Sequence, residues 1–350
     1  STKQFPQLLN YSETLMKLLG SPNIASKIWV YGQYDHEVGI RTVTKPGYDA
    51  SVLRLDNGKF LSIKIDGNPK QCYINPREGA IGCFEEACRN VVCTGAKPIG
   101  MLDHLQFGNP NDPEIFWTFL ESLKGLTDFA KDFEIPCVGG KVSLYNETSD
   151  GPIKPTPVIG VIGLIDKKPL KIQKINSGDS LIMIGDTKDE LGGSEYAEYI
   201  HKFIGGKCPT VNFSESKKNM TSVLDIIENE LIKSAHDCSK GGLTIAISEL
   251  CMMNQIGCNV SLEKIPGEKL DSDKILFSES HSRYLVTFEN KNLEKLEEVL
   301  KKHNVSYSLI GEFTGDSILF SSDSKPIIDL SVDKAQKTWF NSLKEMVLHA

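Results

Sequence analysis

Apolar residues recur along this chain at two spacings, and the spacing assigns the elements. Over 5–24, Leu8, Leu9, Leu15, Leu18 and Leu19 stand among polar neighbours and predict a helix that ends near Gly20. Val52, Leu53 and Leu55, and then the apolar positions of 60–65, alternate at strand spacing. Asp56-Asn57-Gly58 between them is a tight-turn sequence, so a β-pair is expected. From 78 to 95 the period lengthens to that of a helix, through Ala80, Ile81, Phe84, Ala87, Cys88, Val91 and Val92, with Gly95 positioned to end it. A buried strand is expected over 98–103, a second helix over 113–132 with Pro113 in its first turn, and strands over 135–138 and 158–165.

A polar break at 166–178, opened by Asp166-Lys167-Lys168-Pro169, interrupts this order. Beyond it the pattern restarts. A strand is expected at 181–184, a loop at Leu191-Gly192-Gly193-Ser194, helices at 219–234 and 241–254, and a charged helix at 292–302. Alternation in 284–288 predicts a strand with one buried face. Mixed helices and strands joined by glycine-rich turns predict an α/β (α+β) fold in two domains, 1–167 and 168–350.

Composition agrees with that division. At about 150 residues per domain, 350 residues suggest two, and 40% hydrophobic with 24% charged residues is a globular balance that excludes disordered, collagen-like and coiled-coil classes. The 39 basic and 46 acidic residues give a net charge of −7 (39 − 46), with lysines scattered rather than clustered, which argues against nucleic acid as a partner. No apolar run approaches the roughly 20 residues needed to cross a bilayer, and 1–20 lack the pattern of a signal peptide, so a cytoplasmic location without membrane contact is expected. Nine cysteines without a C-x-x-C pair, Cys83, Cys88 and Cys137 among them, read as small buried hydrophobes in a reducing compartment. The chain begins at Ser1 rather than at methionine, which reads as a piece of a longer polypeptide.

Candidate chemistry lies at glycine-bearing joints, where backbone amides can approach phosphate. Val138-Gly139-Gly140-Lys141-Val142-Ser143 follows a strand and reads equally as a phosphate-binding turn or a hairpin turn. In Ser234 to Leu243, with His236-Asp237-Cys238-Ser239-Lys240-Gly241-Gly242 at its centre, Asp237 or Ser239 caps the following helix, or the helix start seats a phosphate. Asp66 and Asp103 end apolar strands. Asp66 with Asn68 offers oxygen ligands suited to magnesium, or simply forms a turn. His104 and His236 adjoin acidic residues without a paired nucleophile, while His201, His303 and His349 read as surface residues. The stretch Phe277-Ser278-Glu279-Ser280-His281-Ser282-Arg283 binds an anion or forms a solvated loop.

Eight segments in order carry a resemblance: Asp66-Gly67-Asn68-Pro69, Asn75-Pro76-Arg77-Glu78-Gly79, 87–98, Leu105-Gln106-Phe107-Gly108-Asn109-Pro110, 140–147, 191–196, 236–242 and 277–283. Together they resemble the large subunit of phosphoribosylformylglycinamidine (FGAM) synthase, and specifically its C-terminal half. That family's enzyme duplicates an aminoimidazole ribonucleotide synthetase-like unit, which implies a mixed-sheet N-domain followed by an α/β C-domain. The resemblance implies an ATP-dependent carbon–nitrogen ligase of purine biosynthesis, with ATP and Mg2+ as cofactors. Its implied partners are the N-terminal half, which carries the catalytic histidines, a glutaminase and a small accessory subunit, with self-association as a homodimer through the surface that normally meets the twin half.

Residue by residue, the resemblance implies that Asp103 and Gly140 bind ATP and that Ser143 contacts the formylglycinamide ribonucleotide. Asp66, Asn68, Asp237, Gly241 and Gly242 would form a second nucleotide site. Lys141 departs from the family's usual asparagine, a magnesium ligand; an ammonium cannot ligate a cation, so either that ligand is lost or Lys141 neutralises phosphate itself. Competing expectations are a free-standing synthetase or kinase of the same superfamily and a non-catalytic module held together by nucleotide.

Overall fold

The computed structural model describes residues 10–349. The part of the first predicted helix that holds Leu8 and Leu9 lies outside them. Helix α1 (Tyr11–Leu19) starts at Asn10, whose side chain accepts the Glu13 amide. A short helix α2 (Ile28–Tyr31) and strand β1 (Thr42–Thr44) lead to the hairpin of β2 (Ser51–Arg54) and β3 (Phe60–Gly67), where Gly58 turns the chain at φ 82°. Helices α3 (Pro69–Ile74) and α4 (Pro76–Val92) each open with proline behind an asparagine that caps the first turn. Strand β4 (Lys97–Gln106), helix α5 (Pro113–Phe133), strand β5 (Cys137–Ser143), the small hairpin β6 (Glu147–Thr148) and β7 (Gly151–Pro152), and strand β8 (Thr156–Ile165) complete the first unit.

Its sheet runs β1-β2-β3-β8-β4-β5, antiparallel except for β4 beside β5. The strand expected at 135–138 therefore continues to Ser143. Pairing with β4 carries the backbone extended through Gly139 and Gly140, so that segment is neither a hairpin nor a tight turn.

The second unit comprises β9 (Ser180–Ile184), α6 (Phe213–Glu228), β10 (Ser234–Asp237), α7 (Gly242–Asn254), β11 (Cys258–Ser261), α8 (Ser272–Phe277), β12 (Tyr284–Phe288), α9 (Leu293–His303), β13 (Tyr307–Phe313), β14 (Ser317–Ser322), β15 (Lys325–Ser331) and α10 (Val332–Leu348). Its sheet runs β10-β12-β9-β13-β11-β14-β15, with β11 and β14 parallel. The helix expected at 219–234 sits six residues earlier, because Asn212 caps α6 and Glu230 turns the chain at φ 55° into β10.

The two sheets differ in how they are covered. All of β9 and β12 is buried, not one face as alternation suggested for β12. Ile182, Ile184, Tyr284, Val286 and Phe288 enter a core continuous with α4, α6 and the first sheet. Leu181, Met183 and Leu285 point the other way, into a core built with α1, α7 and α10. Helix α1, first in sequence, thus packs in the far core of the second unit.

In β8 only alternate residues are buried: Ile159, Val161 and Ile165 face the layer of α4 and α5. Val158, Ile162 and Leu164 face the opposite side, where no layer among the described residues covers them. On that side Ile65 and Leu102, 65% and 42% exposed, both approach within 3.9 Å of the space above Gly160. A continuous apolar sheet face left open to water marks an interaction surface.

Phe129 of α5 joins the two units. It is fully buried, stacks on Phe133 at 3.9 Å and meets Phe213 of α6 edge-on at 5.5 Å. Phe129→Ala is expected to cost roughly 3–5 kcal/mol through cavity formation, read as a lowered midpoint in urea unfolding. A loss below about 1 kcal/mol would mean that the aromatic contact does not couple α5 to α6.

Candidate functional site

The residues singled out by sequence gather at two places. One is the edge of the six-stranded sheet, where parallel pairing sets Asp103 opposite Gly140 and Gln106 opposite Ser143. A Cβ at 140 would lie 2.3 Å from Asp103 Oδ1, so any side chain there must push the Asp103 carboxylate aside. Side chains alternate along a strand, so Asp103 and Gly140 share one face. Lys141 and Ser143 share the other, beside His104 and Gln106. Asn146 fixes Ser143, its Nδ2 donating to Ser143 Oγ at 3.2 Å and to the Phe107 carbonyl at 3.0 Å. Cys137, expected to be buried, is exposed because it opens an edge strand; its thiol lies 3.7 Å from Asp103 Oδ2.

The second place lies between the two units, under the polar face of α4. Asp66 from β3, Glu86 and Asn90 from α4, Asp237 from β10 and Lys240 ahead of α7 converge there. Asn90 Nδ2 donates to Asp237 Oδ2 at 3.2 Å and reaches Asp66 Oδ2 at 3.4 Å. Arg89 donates to the same Asp237 oxygen at 3.2 Å, and also to Glu85. Lys64 Nζ donates to Asn90 Oδ1 at 3.1 Å and stands 3.8 Å from Asp66, while Lys240 Nζ is 3.3 Å from Glu86 Oε1.

Asn68 does not join this cluster. It is buried, and its Oδ1 caps α3 by accepting the Gln71 amide. Neither Asp237 nor Ser239 caps α7. Gly241, at φ 77°, occupies the cap position without a side-chain bond, and its amide donates to Glu279 Oε1 at 2.8 Å. The stretch 277–283 is buried, so it is not a solvated loop: Arg283 braces it by donating to the Ser280 and Ser278 carbonyls and to Thr187 Oγ1. His201 and His303 are half-buried rather than on the surface, the first edge-on to Tyr196 and the second 2.7 Å from Asp225 Oδ2.

A third arrangement escaped the sequence reading. His236 Nδ1 meets Asp49 Oδ1 at 2.9 Å and Nε2 meets Glu249 Oε2 at 3.2 Å, while Asp49 also accepts the Asp237 amide at 2.9 Å. Carboxylates accept only, so both ring nitrogens donate and the ring is an imidazolium. Nothing local signals this, since Asp49 and His236 lie far apart in sequence. Glu85, Glu86, Arg89 and Asn90 did carry a signal: four polar groups inside the otherwise apolar stretch 80–92 of α4.

Burial and charge oppose each other throughout. Burial pushes the Asp66 carboxyl up to about 7, with Lys64 opposing and Glu86 adding to the shift. Burial works against the charges on Lys240 and His236, but nearby carboxylates outweigh it, Glu86 and Asp66 for the lysine and Asp49 and Glu249 for the histidine, and both pKa values rise. Burial likewise opposes the Asp49 charge, and His236 outweighs it and lowers that pKa.

The magnesium implied by the resemblance does not fit this cluster. Asp49, His236 and Asp237 bring donor atoms within 4.8 Å of one another. A doubly donating imidazolium has no lone pair to offer, however, and Asp237 Oδ2 already holds Arg89 and Asn90.

Known families match both units. The AIR synthase related protein N-terminal domain matches residues 47–165 and the C-terminal domain 176–322. Phosphoribosylformylglycinamidine synthase subunit PurL of Methanocaldococcus jannaschii is 42% identical over 354 aligned residues, and that of Alkaliphilus metalliredigens 40% over 345; each alignment covers 98% of this chain, but only 48% and 46% of those subunits. The chain thus spans about half the length of the curated relatives it matches. Thermotoga maritima PurL complexed with FGAR has the same fold, at TM-score 0.77 and 18% identity over 95% of this chain and 54% of that one. The same subunit complexed with ATP gives 0.73 at 18% identity over 93% and 52%, and the Thermotoga maritima PurLQS structure 0.74 at 19% over 96% and 52%.

The His236 clasp sets a pH window. A raised histidine pKa contributes stability that is complete below the ordinary 6.5 and is lost as pH climbs through the raised value. The lowered Asp49 contributes above its ordinary 3.8 and is lost as pH falls through its folded value. His236→Gln is expected to lose about 3 kcal/mol at pH 6 and to flatten the decline of stability from pH 6.5 upward, measured by urea unfolding across that range. An unchanged slope in the variant would assign the pH dependence elsewhere.

Proposed function

This chain belongs to the AIR synthase related family, and on that premise we propose that it is the C-terminal half of an FGAM synthase large subunit. In the proposed reaction the amide oxygen of formylglycinamide ribonucleotide attacks the γ-phosphorus of ATP, and ADP leaves. Ammonia from a partner glutaminase then adds to the activated carbon and phosphate departs, leaving the amidine. Chemistry of this kind depends on positioning and charge neutralisation rather than on a protein nucleophile.

The observation that carries the proposal is the edge of the first sheet. Asp103 and Gly140 line one face of the paired β4 and β5, and Lys141 and Ser143 the other, beside the open apolar face. In this reading the backbone at Gly140 and the Asp103 carboxylate bind ATP, a nucleotide with which the Thermotoga relative forms a complex. Ser143 Oγ, held by Asn146, contacts the ribonucleotide. Magnesium accompanying ATP would neutralise phosphate charge; Lys141 supplies a positive charge directly but no ligand. The catalytic histidines belong to the absent half, whose sheet covers Ile65 and Leu102.

The accessory partners are a glutaminase and a small subunit, a reading supported by the PurLQS assembly of the structural relative. Among the described residues no helix is long and apolar enough to cross a membrane.

The test is FGAM formation from ribonucleotide, ATP and an ammonium salt, with and without a separately produced first half. Activity is expected only in the mixture. Gly140→Ala is expected to lower kcat/KM at least 100-fold, because its methyl clashes with Asp103, and Ser143→Ala to raise the ribonucleotide KM. Turnover by the chain alone would overturn the half-enzyme reading. Leu102→Asp is expected to abolish self-association of the isolated chain in sedimentation; a native chain that stays monomeric at high concentration would refute the role given to the open face.

A further inference from the structure

The seat between the two units is where the resemblance puts a second nucleotide, yet oxygens and an amide placed for that task already engage other parts of the chain. The oxygens that would ligate a cation carry cations of the protein. Asn90 Oδ1 accepts from Lys64 at 3.1 Å, Glu86 Oε1 from Lys240 at 3.3 Å and Asp237 Oδ2 from Arg89 at 3.2 Å, and these residues are 2%, 5% and 5% exposed. The helix start that would cradle a phosphate carries an anion of the protein, since the Gly241 amide donates to Glu279 Oε1 at 2.8 Å. The same oxygen accepts the Glu195 amide at 2.7 Å, and Glu279 is 3% exposed.

We propose that this seat is a self-liganded ionic knot: Lys64, Arg89 and Lys240 stand where a divalent cation would stand, Glu279 stands where a phosphate would stand, and the seat takes neither. Asp49, Asp66, Glu86 and Asp237 each have a cation of the protein within 4 Å, namely His236, Lys64, Lys240 and Arg89. Glu85, which also pairs with Arg89, is satisfied separately by Ser216 and Ser282. A divalent ion entering here would have to expel an ammonium from a buried carboxylate, exchanging one satisfied buried charge for another. A phosphate would have to displace Glu279 from two buried amides. The knot therefore acts as a permanent strut, tying β3 and α4 of the first unit to β10 and the start of α7 in the second without a ligand.

The proposal concerns a place distinct from the sheet edge, and its test uses metal alone, so it stands or falls independently of the ligase reading. Mn2+ is titrated into the full chain and followed by electron paramagnetic resonance. The native chain is expected to show no sub-millimolar Mn2+ site that Asp237→Asn removes. Lys240→Met strips the ammonium from Glu86 while leaving the carboxylates in place, and is expected to bind Mn2+ at least tenfold more tightly than the native chain. A native chain that binds Mn2+ below millimolar concentration and loses it in Asp237→Asn overturns the proposal. Should Lys240→Met fail to fold, the comparison of native chain with Asp237→Asn decides by itself.

Discussion

Charge buried between two packed units must be neutralised within the protein, and that requirement governs this structure. A lone carboxylate taken out of water is prohibitively costly, whereas one met by a cation and an amide is tolerable. Here Asp237 receives Arg89 and Asn90, Glu86 receives Lys240, and Asp49 receives His236 together with the Asp237 amide. These contacts determine the geometry around them. They hold the polar face of α4 toward the second unit, bring the end of β3 beside β10, and keep the chain ahead of β2 against α7 through His236 and Glu249.

Around that strut the two sheets have opposite fates. The second is buried on both faces at β9 and β12, where every residue is buried, while β13, β14 and β15 keep partly exposed positions. The first is buried against α4 and α5, and its other face carries Ile65, Ile162 and Leu102 without a covering layer among the described residues. Hydrophobic surface of this kind is stable in water only when something covers it. The edge that bears Asp103, Gly140, Lys141 and Ser143 lies at the rim of this same face, so whatever covers the face also approaches the edge. On the proposed reading, site and interface are two aspects of one sheet.

Much of the fold was legible in residue spacing. The β2–β3 hairpin, the helices expected over 78–95 and 113–132, and the two-unit order all follow from local rules of periodicity, capping and turn chemistry. Errors came where pairing overrode local preference. Gly139-Gly140 looks like a turn, but lies extended because β4 supplies hydrogen-bond partners along it. Residues 284–288 alternate like a half-buried strand, but α1 and α7 cover the second face, and no local pattern could disclose this. Arg283 among serines and a histidine suggested an anion site, whereas burial turned it into a brace for its own loop.

The sequence by itself determined which segments become helix or strand, because hydrophobic period and capping act over a few residues, and its ordered motifs identified the family. Only the tertiary structure decided what the polar residues do. Asp66 and Asn68 are two positions apart, yet one joins the interdomain cluster and the other caps a helix; Asp49 and His236 are distant in the chain, yet they share a proton-bearing contact. Electrostatic partnership depends on distance in space and on exclusion of water, and neither exists until the two units have packed.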